Sequence, residues 1–210
     1  MTLVSRRSPY STGRLTVVLC LASVALVMLS ASGYAAPEEV APGAAQEAPR
    51  DDAAREAASA EMVSFIADLE VMREKFLGLA DAFPEDAYTW RPMEGVRSVS
   101  EVLMLIASEG YGFAPTALGG TGAMSREESG ELSSITDKAQ VIDHLTKAFA
   151  HAKMELEAID PATLVGARTV FGQERTTPDL VLFVAGDMHE HLGQLIAYAR
   201  TNQIVPPWSR

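Results

Sequence analysis

The residues best placed to do chemistry lie together near the C-terminus, in Asp187-Met-His189-Glu190-His191-Leu-Gly-Gln194. Asp187 and His191 are spaced i, i+4, so on a helix both side chains stand over one patch of surface. A carboxylate oxygen and an imidazole nitrogen held that way can share a divalent cation. The same spacing suits a half-buried ion pair that ties helices together, and a metal needs a third donor from another element. His189, two residues from each, points to another side. His144 and His151 are seven residues apart, close to one face, and no carboxylate or cysteine neighbour makes a site of them. They are expected to be ordinary solvated residues.

The elements that must position these groups are helices. Apolar residues recur at three- and four-residue steps over residues 57–80 (Met62, Phe65, Ile66, Leu69, Phe76, Leu77), which predicts a first helix. Two prolines and a glycine break the pattern in the next segment. Ser98-Val-Ser-Glu101 has the form of a capping box and predicts the start of a second helix, which fades at Gly110 and Gly112. Residues 114–134 are rich in Gly and Ser and read as a long crossover loop. Thr136 or Asp137 caps a third helix, which Asp160-Pro161 stops. Thr177-Pro178 opens a fourth helix that carries Asp187 and His191 and closes at Asn202. No strand pair competes. The expected fold is all-α, a four-helix bundle with its crossover between helices 2 and 3, occupying residues 57–210.

Three segments carry a family resemblance: FPEDAYTWRPMEGVRSVSEVLMLIA at the second helix, ITDKAQVIDHL at the third, and HEHLGQLIAYARTNQIVPPWS at the end. With these, nearly all of residues 60–209 resembles the DinB-like (DinB/YfiT) four-helix bundles. The resemblance implies a core divalent metal, zinc or nickel, held by three histidines. One comes from the second helix and two, four apart, from the fourth, just before a Gly-Gln pair. Characterised relatives of this kind include thiol transferases and a thiol-dependent isomerase, and pairing through bundle faces implies a homodimer.

Carried over by position, His191 matches the last histidine, the other fourth-helix histidine falls on Asp187, and the second-helix histidine falls on Leu105. Leucine cannot coordinate, so the metal site is expected to be impaired. Glu109, one turn beyond Leu105 on the same face, is the candidate third ligand, because Glu101 is taken by the cap. Trp90, Arg91 and Arg97 surround the second-helix start, where they either line a mouth for an anionic substrate or form a packing corner. Tyr111, Tyr198 and Trp208 suit ligand stacking or core packing equally.

The chain's N-terminus bears on function as well. Residues 1–35 carry Arg6, Arg7 and Arg14, no acidic residue, and an apolar run from Leu15, with small residues at Gly33 and Ala35 before a cut. This is the pattern of a cleaved signal peptide, the alternative being an uncleaved membrane anchor with the domain outside the cytoplasm. Ser5-Arg6-Arg7 is a weak twin-arginine signal, and Leu19 before Cys20 does not suit lipid attachment. Residues 36–56, rich in Pro, Ala and acid, read as a disordered spacer. Removing the signal leaves 14 basic against 28 acidic side chains, a charge of −14, which argues against nucleic acid. The single cysteine is Cys20, so the exported domain has no disulfide and no thiolate ligand.

The functional expectation is an exported domain with an impaired metal site and a non-catalytic or small-ligand-binding role. The alternative is a divalent-metal-dependent hydrolase or thiol transferase using Asp187 and His191. Export itself tells against thiol transfer, since the required low-molecular-weight thiol is largely a cytoplasmic reagent.

Overall fold

The computed structural model describes residues 48–209, and three of its long helices begin at a locally encoded cap. The expected signal segment and the first part of the spacer lie outside the described residues. Helix α1 (Ala48–Ala82) already includes residues 48–56, ahead of the start expected at residue 57. The alanines there are the best helix formers, and this end of the expected spacer is therefore helical. Helix α2 (Val99–Ser108) has the predicted capping box: Ser98 Oγ accepts from Glu101 N at 3.3 Å, and Glu101 Oε2 accepts from Ser98 N at 2.6 Å.

The second helix does not fade at the glycines. It runs on through a π turn (Glu109–Phe113) into α3 (Ala114–Leu118). Pro115 cannot donate to the Tyr111 carbonyl four residues back, and Ala123 N takes that carbonyl instead at 2.7 Å. Gly119, at φ 103°, ends α3, and Gly120 N bonds back to Pro115 O at 2.8 Å. The expected crossover loop is thus largely structured, with α3, then α4 (Arg126–Glu131) and a 3-10 turn (Leu132–Ser134).

Asp137 caps α5 (Lys138–Glu157), its Oδ1 accepting from Gln140 N at 2.9 Å. A hairpin follows that the sequence reading missed: β1 (Ala167–Val170) pairs antiparallel with β2 (Gln173–Thr176). Its two-residue turn, Phe171-Gly172, has positive φ at both positions (51° and 74°), the twist that two-residue hairpins favour. Helix α6 (Thr177–Thr201) is capped by Thr176, one residue before the expected Thr177, and Asp179 completes a capping box.

Helices α5 and α6 each pack against both α1 and α2, so one core lies between the four. Met62, Phe65, Leu69, Met72, Phe76 and Leu79 of α1 are buried there beside Leu103 and Ile106 of α2, Leu145 and Phe149 of α5, and Leu180, Val184 and Leu195 of α6. Tyr88, fully buried, donates its hydroxyl to Ala80 O at 2.7 Å and fixes the turn between α1 and α2. Among the described residues no helix is long and apolar enough to cross a membrane.

Candidate metal site

The π turn places Glu109 where α2 meets α6. Gly110 makes this turn possible: a Cβ there would lie 3.0 Å from the Ala148 carbonyl oxygen, so only glycine lets α5 come so close. The rings of His144 and His151 pack on Tyr111 of the same turn, at centroid distances of 6.1 and 6.4 Å. His151 Nε2 also lies 2.9 Å from Thr121 O. Both histidines are half-buried supports of the turn, not the solvated side chains their spacing suggested.

Glu109 is 8% exposed and faces Asp187 and His191 of α6. One ligand atom from each of the three residues lies within 4.8 Å of the other two, so a carboxylate from α2 joins the i, i+4 pair. Glu109 Oε2 is buried and has no hydrogen-bond partner. Burial, then a hydrogen bond from the protonated Glu109 carboxyl to Asp187 and the charge of that carboxylate, push the Glu109 carboxyl up from 4.5 to about 9, against a smaller downward pull from Arg97. At neutral pH it is therefore protonated in the protein alone. A divalent cation answers both features, since it supplies a partner for the orphaned oxygen and lets Glu109 ionise beside the Asp187 carboxylate. The residues present fit such an ion, with two oxygen donors and one nitrogen donor.

A chain of hydrogen bonds fixes the imidazole. The Arg97 carbonyl can only accept, so the Tyr198 hydroxyl, 3.0 Å away, donates to it. That hydroxyl then accepts from Gln194 Nε2 at 2.7 Å, which turns Gln194 Oε1 toward His191 Nδ1 at 3.0 Å. His191 therefore carries its proton on Nδ1 and keeps the Nε2 lone pair for a ligand. Sequence reasoning did not pick out this relay. Its signal was present in the i, i+3 step from His191 to Gln194 and the i, i+4 step on to Tyr198.

His189 points away from the group and pairs with Asp68 of α1 at 2.7 Å. Leu105, half-buried one turn before Glu109, lines a neighbouring cleft with Arg91, Arg97 and Glu101. Arg91 forms the packing corner, bonding Val96 O at 3.1 Å and Glu101 at 3.2 Å. Trp90 stands edge-on to Tyr198, and Trp208 lies under Lys75 at the chain end, away from the group.

A family model described as the DinB superfamily matches residues 68–195, more than half of the chain and a span that includes Glu109, Asp187 and His191. No curated protein gives a significant match.

Proposed function

The chain belongs to the DinB superfamily, and we propose that it is a divalent-metal-dependent hydrolase whose ion is held by Glu109, Asp187 and His191. The observation that carries this reading is the buried Glu109 oxygen without a partner, set against a carboxylate and an oriented imidazole. When bound, the cation supplies Lewis acidity and activates water at neutral pH. Gln194 and Tyr198 hold His191 in the ligating tautomer, and Glu109 gives up its proton as the ion enters.

Hydrolysis is favoured over thiol transfer by the donor set. Two carboxylates already balance a divalent charge, and oxygen donors suit water and carbonyl oxygen better than a further thiolate. The basic, apolar character of residues 1–35 supports action outside the cytoplasm, away from the thiols that transfer would need.

A second reading, a bundle that binds a small ligand without catalysis, is favoured by Leu105, which occupies the position of a histidine ligand and lines a cleft instead. Metal analysis of protein purified without chelator separates the two. About one ion per chain, lost in both Asp187→Ala and His191→Ala, is the expected result. No stoichiometric metal under any supply, together with tight metal binding by Leu105→His, would establish the non-catalytic reading in its place.

A further inference from the structure

The cleft beside Leu105 is walled on three sides. Helix α2 supplies Met104, Leu105 and Ser108, the loop before α2 supplies Arg97, and α4 supplies Ser129 and Gly130. Its volume is about 430 Å³, enough for a small organic molecule. The hydroxyls of Ser108 and Ser129 bond to each other and hold α4 against α2.

The charges on this wall are unequal in use. Arg91 and Glu101 are paired with each other, and Glu101 also caps α2. Arg97 lines the cleft but makes no side-chain hydrogen bond and no ion pair among the described residues. The cleft therefore presents one uncommitted cation in a chain whose net charge is −11. A cation left unpaired in a concave site attracts anionic ligands. The planar guanidinium fork fits a carboxylate in two parallel hydrogen bonds, and half-buried Leu105 offers an apolar floor to what the carboxylate is attached to.

We propose that this cleft binds a small molecule with a carboxylate on an apolar body, the carboxylate pairing with Arg97 and the body lying on Leu105 toward Glu109. This names a substrate class for the proposed hydrolase and rests on that reading for what happens beyond Leu105. It also gives Leu105 a use: the side chain that cannot ligate a metal makes the floor on which the substrate lies.

The test uses the full chain in EDTA, so that its outcome does not depend on metal. Backbone amide shifts are followed by NMR while 4-phenylbutyrate, its neutral amide 4-phenylbutyramide and inorganic phosphate are added separately. The acid is expected to shift the amides of Arg97, Leu105, Ser108 and Ser129 saturably, and to bind at least about tenfold more tightly than the amide or phosphate. Arg97→Gln should remove that preference and leave the amide's own binding unchanged, while Arg97→Lys should retain part of it. Arg97 is exposed, and an unchanged thermal midpoint shows that the variants fold. Equal binding of acid and amide, equal binding of phosphate, or an unaltered preference in Arg97→Gln overturns the proposal. A chain that binds the carboxylate but no metal overturns only the hydrolase reading.

Discussion

Gln194 Oε1 accepts the Nδ1 proton of His191 at 3.0 Å, and this contact decides which imidazole nitrogen is free to ligate. Replacing Gln194 by Leu keeps the volume and removes the acceptor. Imidazole nitrogen shifts should then move from an Nδ1-protonated ring to a mixture of tautomers. Divalent-ion affinity should fall by about ten- to a hundredfold, the range for loss of an outer partner of a ligating histidine. Tyr198→Phe should act in the same direction and more weakly, because Gln194 keeps its contact with His191 while losing its own anchor. An Nε2-protonated ring in the parent protein would contradict the relay.

Glu109 makes the stability of the metal-free protein depend on pH in a direction that can be worked out. Its carboxyl lies near 4.5 in the unfolded chain and about 9 in the folded one. Between those values the folded protein holds a proton that the unfolded chain has released, so stability falls as pH rises through the interval. The slope from this one group is at most about 1.4 kcal/mol per pH unit. Urea melts in EDTA at pH 5.5 and 8 should show a loss in the parent that is much smaller in Glu109→Gln. An equal loss in the two proteins would place Glu109's ionisation elsewhere.

The same proton links pH to metal uptake. Glu109 must release it to ligate, so at pH 7 about one proton should leave for each ion that enters, and affinity should rise with pH toward 9. Calorimetry in two buffers of different ionisation enthalpy reads the proton count. In Glu109→Gln the released proton should disappear along with much of the affinity. Ion binding with no proton release in the parent would exclude Glu109 from the ligand set.

The parts of this molecule written in short-range chemistry were legible in the sequence. The Ser98–Glu101 cap, the Asp137 cap and the Asp187–His191 pair each depend on residues three or four apart, where one helix turn brings side chains together. Glu109 was legible only as the carboxylate one turn past Leu105, since its meeting with α6 is a tertiary event. The π turn was hidden because Gly110 and Gly112 are ordinary helix-ending residues. What Gly110 answers to is the close approach of α5 at Ala148, which no local pattern records. The hairpin was hidden because its strands have four residues each, mostly polar and exposed, too few for an alternation to stand out.

Gly110 tests whether that close approach positions the site. Glycine in a helical turn normally costs up to about 1 kcal/mol relative to alanine, so Gly110→Ala should stabilise the protein if local propensity decided the matter. The added methyl would instead meet Ala148 at 3.0 Å from its carbonyl oxygen and 3.1 Å from its carbonyl carbon. These are backbone atoms inside a 20-residue helix and cannot swing aside as a flexible side chain would. Overpacking of this kind costs about 1–3 kcal/mol, so a net loss is expected in urea melts. To relieve the contact, the π turn must move off α5 and carry its first residue, Glu109, away from Asp187 and His191. Metal affinity should therefore fall more in Gly110→Ala than in Gly112→Ala, where a Cβ meets nothing within 4 Å. Equal affinities in the two variants would separate the π turn from the site.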